Sequence, residues 1–310
     1  MVPSSEFSEF REALAGAKNI IILSGAGLSA PSGIATYRGS GGESLWSNPK
    51  VVKYSAHTTF NEDPSGSWQF YSYRRKLALA AKPNAGHYAI ASLNVPKIAA
   101  RVTPSSPEAP LHVTQNLDEL SLRALKQVTE NSDDEMLMET AMGQYIQMHG
   151  SLFSTRCLSC KKGEHSYEPY LAASLKDTDS IDEFVDIPVE KLPKCGGDDW
   201  NGSNRYGKCG GLLKPDVVWF GEVPPLMGEI GRKITWCDLL IVVGTSAIVQ
   251  PASGFASQVK EHGGKVAIFN LERSNNDEAA DFLFLGSCDE TLPAAFGVKS
   301  DIESYLHNRN

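Results

Sequence analysis

The chain has no run of about 18 or more apolar residues, so no membrane span is expected. Its first sixteen residues, "MVPSSEFSEFREALAG", lack a charged segment followed by an apolar one, which argues against a secretory signal. The same segment is acidic and poor in arginine, unlike a mitochondrial transit peptide. Cytosol or nucleus is the default compartment, with mitochondria left open. An excess of positive charge is also missing. The net charge is −8 and the isoelectric point about 5.4, which argues against a protein that grips nucleic acid by its phosphates. An acidic surface would attract basic peptides instead. No internal repeat is visible. Hydrophobic content is 41% and charged content 21%, and 310 residues suit one large domain plus a smaller one.

Cysteine is scarce and unevenly placed. Of six, four cluster at Cys157, Cys160, Cys195 and Cys209, while Cys237 and Cys288 stand apart. In a reducing compartment structural disulfides are not expected, and the cluster points to a metal. "CLSC" (157–160) has good ligand spacing. The second pair, each cysteine opening a "CGG", is separated by the polar, glycine-rich "GGDDWNGSNRYGK", which must loop out to return Cys209. Four thiolates would form a closed tetrahedral zinc site, structural rather than catalytic, with His165 as an alternative ligand.

Short β-branched apolar runs recur: "NIIIL" (19–23), "LHVTQN" (111–116), "DLLIVVGTS" (238–246) and "KVAIFNLE" (265–272). They read as strands buried on both faces. Helical stretches fall between them, at 66–81, 85–93 and 252–262. Strands alternating with helices predict an α/β fold, a parallel sheet with helices on both faces, whose ligands bind at the carboxyl ends of the strands. The polar residues collect there: Ser24 and Gly25, Gln115 and Asn116, Gly244 to Ser246, Asn270 and Glu272. In "GAGLSAPSG" the glycines at 25, 27 and 33 suit close approach of a pyrophosphate, although their spacing is not the plain dinucleotide fingerprint. Segment 151–213 reads as a metal-stapled module inserted in the sheet domain. "TPSSPEAP" (103–110) and the acidic "TENSDDEMLMET" (129–140) read as mobile surface loops.

Taken in order, "GAGLSAPSGIATYRG" (25–39), "PNAGH" (83–87), "TQNLDEL" (114–120), "HGS" (149–151), "CLSC", "KPDVVWFGE" (214–222), "VVGTS" (242–246) and "NLE" (270–272) resemble the sirtuins, the NAD-dependent protein-lysine deacylases. The resemblance spans nearly the whole chain. It implies a Rossmann-type NAD domain from 1–50, 82–150 and 214–310, a helical part of a small domain from 51–81, and a zinc module from 151–213. It further implies that Gly25, Ala26, Gly27, Ser29, Thr36, Tyr37, Arg38, Gln115, Asn116, Asp118, Gly244, Thr245, Ser246, Asn270, Leu271, Glu272 and Cys288 hold NAD. His149 would be the general base, with Asn116 and Asp118 also catalytic. The acyl oxygen of an acylated lysine would attack the nicotinamide ribose and nicotinamide would leave. The 2′-oxygen would then take the acyl group, giving O-acyl-ADP-ribose and free lysine. Zinc would only fold the module. Val218, Phe220, Gly221 and Glu222 would present backbone to an extended peptide. Where most sirtuins have Thr-Phe-Arg, this chain has "TYR" (36–38), which adds a hydroxyl near the nicotinamide site.

"WQFYSYRRKL" (68–77) resembles the sirtuin branch that removes malonyl, succinyl and glutaryl groups, with Tyr71 and Arg74 as its Tyr-x-x-Arg pair. A forked guanidinium suits a carboxylate and leaves an acetyl group without a partner for it. Helical spacing alone also admits Arg75. Competing readings are a deacetylase or long-chain deacylase, a catalytically weak NAD or ADP-ribose sensor, and, more remotely, a zinc-ribbon nucleic-acid module.

Overall fold

The structure, a computed structural model, describes residues 2–36, 48–130, 136–176, 178, 180, 181, 183–198, 200, 202, 207–246, 248–274 and 277–307. Nine strands are described: β1 (Ile20–Ser24), β2 (Leu111–Thr114), β3 (Tyr145–Gln147), β4 (Gly150–Cys157), β5 (Gly163–His165), β6 (Leu213–Val217), β7 (Leu239–Val243), β8 (Lys265–Asn270) and β9 (Phe282–Leu285). Six form one parallel sheet in the order β3-β2-β1-β7-β8-β9. This is the α/β fold that the alternating strands and helices predict, and it is of the Rossmann type that the family resemblance implies.

Period-two alternation sorts the apolar residues of the sheet. Ile20 and Ile22 of β1 face one core, with Ile241, Phe269 and Phe284, under the helices Phe7–Gly16, Ala85–Ser92 and Cys288–Phe296. Ile21 and Leu23 face the other core, with Val113, Val242 and Ile268, under the helices Met227–Thr235 and Phe255–Glu261. Strand order runs outward from β1 through β2 to β3, and from β7 through β8 to β9 in the other direction. The reversal falls between β1 and β7, and such a switch point opens a crevice at the carboxyl ends of the strands.

A third core belongs to a smaller layer. The helices Pro49–Tyr54 and Pro64–Ala80 pack Tyr54, Trp68, Phe70 and Tyr71 against Phe153, Leu213, Val217 and Trp219, on the antiparallel sheet β5-β4-β6. β6 therefore pairs with β4, not with the large sheet, although the sequence reading assigned 214–310 to the NAD-binding part. The acidic segment also differs from expectation. Leu137–Gly143 is a helix that buries Leu137 and Ala141, because its apolar residues lie four apart on one face. Residues 131–135 lie outside the described residues. The proline-rich segment is irregular, as expected, and Ser106 ties it down by donating to the Lys18 carbonyl at 2.8 Å.

The helix Pro64–Ala80 settles which arginine is structural. Asp63 caps it, accepting from the Gly66 amide at 2.8 Å, and Pro64 suits the first turn. Arg75 lies on the core side, 1% exposed. Its guanidinium donates to the carbonyls of Leu152 (2.6 Å), Ser166 (3.0 Å) and Glu168 (2.5 Å) and sits 5.2 Å from the Phe153 ring centroid. Burial lowers its pKa to about 10, which leaves it protonated at neutral pH. Arg75 therefore fastens the helix to β4 and to the segment after β5. Arg75→Met strands those carbonyls without a donor and should lower the urea-unfolding free energy by about 3 kcal/mol or more. A loss below ~1 kcal/mol would contradict this role.

Candidate functional site

At the switch point the backbones of two loops touch. The Gly27 amide donates to the Gly244 carbonyl at 2.8 Å, and the Gly25 amide to the Val243 carbonyl at 2.9 Å. A Cβ on Gly27 would lie 2.6 Å from the Gly244 Cα, and one on Gly244, where φ is +60°, would lie 2.4 Å from the Leu28 amide nitrogen. Only glycine fits either position. Beside them Thr245 and Asn270 bond reciprocally: the Thr245 amide donates to Asn270 Oδ1 and Asn270 Nδ2 donates to the Thr245 carbonyl, both at 3.1 Å. "PNAGH" proves to be a helix cap. Asn84 and His87 form a capping box, and Asn84 Nδ2 donates to the Leu28 carbonyl at 2.8 Å, bracing the glycine loop from behind.

These loops line one cavity of about 780 Å³. Of the residues expected to hold a dinucleotide, Ala26, Gly27, Thr36, Gln115, Asn116, Asp118, Gly244, Thr245, Ser246, Asn270, Leu271, Glu272 and Cys288 line it. Gly25 and Ser29 stand directly behind: Asn116 Nδ2 donates to the Gly25 carbonyl and to Ser29 Oγ, both at 3.0 Å. Tyr37 and Arg38 lie outside the described residues. Burial pushes the Cys288 thiol up to about 12, so it lines the cavity as an inert apolar group.

His149 lines the same cavity. Its Nδ1 lies 3.1 Å from the Gln115 carbonyl, which can only accept, so Nδ1 carries the proton and Nε2 keeps its lone pair. Burial lowers the pKa, partly opposed by that hydrogen bond, and the ring is neutral at physiological pH. Burial raises the pKa of Asp118, while the Leu120 amide, Ser29, Arg123 and Arg74 oppose the rise.

A buried imidazole links β1 and β2. His112 Nε2 lies 2.8 Å from Ser24 Oγ, Ser24 Oγ donates to Thr114 Oγ1 at 2.9 Å, and the Asn116 amide donates to Thr114 Oγ1 at 3.1 Å. Burial lowers the His112 pKa from 6.5 to about 3. The folded-state pKa is depressed, so the stability that goes with the neutral ring is complete above about 6.5 and drains away as pH falls toward about 3. The urea midpoint should therefore drop between about pH 7 and pH 5, and His112→Gln should make that slope shallower. An unchanged slope would show that other groups carry the acid sensitivity.

The opposite end of the cavity belongs to the helix Pro64–Ala80. Phe70, Tyr73, Arg74, Leu77 and Ala78 line it, a stripe at i, i+3, i+4, i+7 and i+8. Arg74 is half-buried, its guanidinium carbon 5.5 Å from the Phe70 ring centroid and 5.9 Å from that of Tyr71. Tyr71, expected beside Arg74 in the pocket, is not on the cavity. It flanks the stripe and packs into the wall, its ring centroid 4.8 Å from that of Trp219. The reading from sequence missed Tyr73, Leu77 and Ala78, whose helical spacing from Phe70 would have revealed them. Val218, Phe220, Gly221 and Glu222 line the rim. Phe220 is fixed by its amide donating to the Ser55 carbonyl at 2.9 Å, and Val218 by donating to the His149 carbonyl at 2.8 Å.

The four clustered cysteines do converge. All their sulfurs lie within 4.8 Å of one another, with Cys157–Cys209 at 3.4 Å and Cys160–Cys195 at 3.8 Å. A tetrahedron of sulfurs about 2.3 Å from a common centre has edges of about 3.8 Å. The long insert is closed by Trp200: a Cβ on Gly210, where φ is +71°, would lie 2.5 Å from its ring. His165 is not part of the cluster; its Nε2 lies 3.0 Å from a Glu119 carboxylate oxygen.

The model of the Sir2 family matches residues 25–251. The chain is 40% identical over 298 residues to the NAD-dependent protein deacylase sirtuin-5, mitochondrial, of Canis lupus familiaris, covering 94% of this chain and 86% of that protein. It is 36% identical over 300 residues to an NAD-dependent protein deacylase of Daphnia pulex, covering 95% and 97%. The solved structure of a Sir2 homologue–NAD complex superposes with a TM-score of 0.68 at 29% identity, covering 98% of this chain and 97% of that one. With the glycine contact at the switch point, the cavity it opens and this likeness over nearly its full length, the chain belongs to the Sir2 family.

Proposed function

We propose that this chain is an NAD-dependent protein-lysine deacylase that prefers acidic acyl groups, malonyl, succinyl or glutaryl. The observation that carries the reading is the content of one cavity: the Gly27–Gly244 cradle, a neutral His149 and the Arg74 guanidinium all line it. The names of its sirtuin-5 and Daphnia relatives support the activity.

NAD fits the cradle, where backbone approaches closely and the Thr245–Asn270 pair holds the neighbouring loop; when bound, it supplies an electrophilic ribose carbon and the hydroxyl that receives the acyl group. Asn116 and Gln115 fix the cavity wall around it. Burial keeps the His149 ring neutral, the Gln115 carbonyl keeps its proton on Nδ1, and Nε2 would be the atom that takes a proton from that hydroxyl. The Val218–Glu222 rim presents backbone to a peptide carrying the acylated lysine. Arg74 meets the acyl carboxylate with two parallel hydrogen bonds, and the Tyr71 ring behind it supports the guanidinium. Zinc fits the sulfur tetrahedron of Cys157, Cys160, Cys195 and Cys209 and would hold β4 to the returning loop, a structural role.

Two measurements test this. On one lysine peptide bearing acetyl, malonyl, succinyl, glutaryl or a long acyl group, kcat/KM should favour the acidic groups by about tenfold or more. Arg74→Met should erase that preference, and His149→Ala should lower kcat by ~100-fold or more. The acid limb of the wild-type pH profile should have its midpoint below 6.5, since burial depresses the His149 pKa and protonation removes the base. Preference for acetyl, unchanged by Arg74→Met, would falsify the acyl assignment; NAD binding without turnover of any peptide would point to a sensor. Separately, a zinc chelator should lower the melting temperature by at least ~5 °C, and Cys160→Ser should abolish that response.

A further inference from the structure

Between Asp118 and Leu120 the backbone adopts a conformation that ordinary side chains avoid. Glu119 has φ +56°. A residue with a Cβ held there costs roughly 1 kcal/mol, so something must hold it. Its carboxylate is 1% exposed and gathers three side-chain donors. His165 Nε2 lies 3.0 and 3.2 Å from its two oxygens, Tyr167 Oη donates at 2.7 Å, and Ser151 Oγ donates to Oε1. Arg75 and Arg123 are near enough to feel its charge.

All three donors come from the smaller layer, while Glu119 belongs to the segment that follows β2 of the large sheet. The residues just before it, Asn116, Leu117 and Asp118, line the cavity, and Glu119 does not. Ser151 stands two residues after His149. Two further bonds run in parallel across the same junction: the Leu152 amide donates to the Leu117 carbonyl at 3.0 Å, and His149 bonds the Gln115 carbonyl. Glu119 is thus the buried carboxyl group on which the Asp118 segment and β4, which follows His149, converge. An unpaired carboxylate there would be strongly unfavourable, so the donors must keep their places for the segment to keep its path.

We infer that Glu119, through Ser151, His165 and Tyr167, is a positioning residue that fixes the distance between the Asn116–Asp118 wall and the His149 imidazole. The inference rests on the deacylase reading above. It predicts a loss confined to turnover, because misplacement of about 1 Å can cost ~100-fold in rate while leaving ligand contacts elsewhere intact.

The test uses the full chain with NAD and the preferred acyl peptide. Glu119→Gln, Tyr167→Phe and the double variant are compared for kcat, for KM of each substrate and for melting temperature. Each single variant should lower kcat by about tenfold or more while both KM values stay within about threefold. The double variant should be no slower than Glu119→Gln alone, since Tyr167 acts through the carboxylate. Unchanged kcat in folded single variants, or independent losses that multiply in the double variant, overturns the inference. If Glu119→Gln does not fold, Tyr167→Phe decides: a lower kcat at an unchanged melting temperature supports positioning, and an unchanged kcat overturns it. A wild type that turns over no acyl peptide overturns the deacylase reading, and this inference with it.

Discussion

The approach of main chain to main chain at Gly27 and Gly244 sets the terms for everything around it. β1 and β7 are hydrogen-bonded neighbours, yet the chain leaves them toward opposite halves of the sheet. Their following loops can diverge and still touch only if neither carries a side chain at the contact. Once they touch, their outward faces form one wall of a cavity, and Asn116, bonded to Gly25 and Ser29, forms the next. The cradle is a by-product of packing two turns as tightly as the backbone permits.

The second constraint is the docking of the smaller layer. Its aromatic core lies within the layer itself and does not by itself set the layer's position on the large sheet. Precision comes from directional groups at the seam. His149 and Leu152 bond the 115–117 segment, and Glu119 collects three donors. Buried polar groups of this kind specify one arrangement because any other leaves them unsatisfied.

The large sheet was legible because its four central strands are buried on both faces and three of them, β1, β7 and β8, are dominated by apolar residues on both, a pattern that solvent-exposed segments do not produce. β3 and β9, at the sheet edges, were not among the strands expected from the sequence. The cysteine cluster was legible from the grouping of its residues, and the Trp200–Gly210 contact beside Cys209 is one that no spacing rule encodes. Most of the expected cradle residues line the cavity, since strand ends are fixed once the strands are. Arg74 and Arg75 were harder. Their chemistry is the same, and only the rotation of one helix separates them. Phe70, Tyr73, Leu77 and Ala78 reveal that rotation when read together, and Tyr71 lies to one side of that stripe.

One feature of the cavity bears on ligands of another kind. The cradle at the ends of β1 and β7 and the Arg74 wall open into the same space without an intervening partition. A single small molecule that joins a nucleotide-like head to a carboxylate tail could engage both ends at once. Its second contact would form at the effective concentration set by its linker, not by bulk solution, so two modest affinities would multiply. The same continuity means that such a molecule has to match this chain twice: a cradle built from two glycines, and a cation at one fixed position on a helix face.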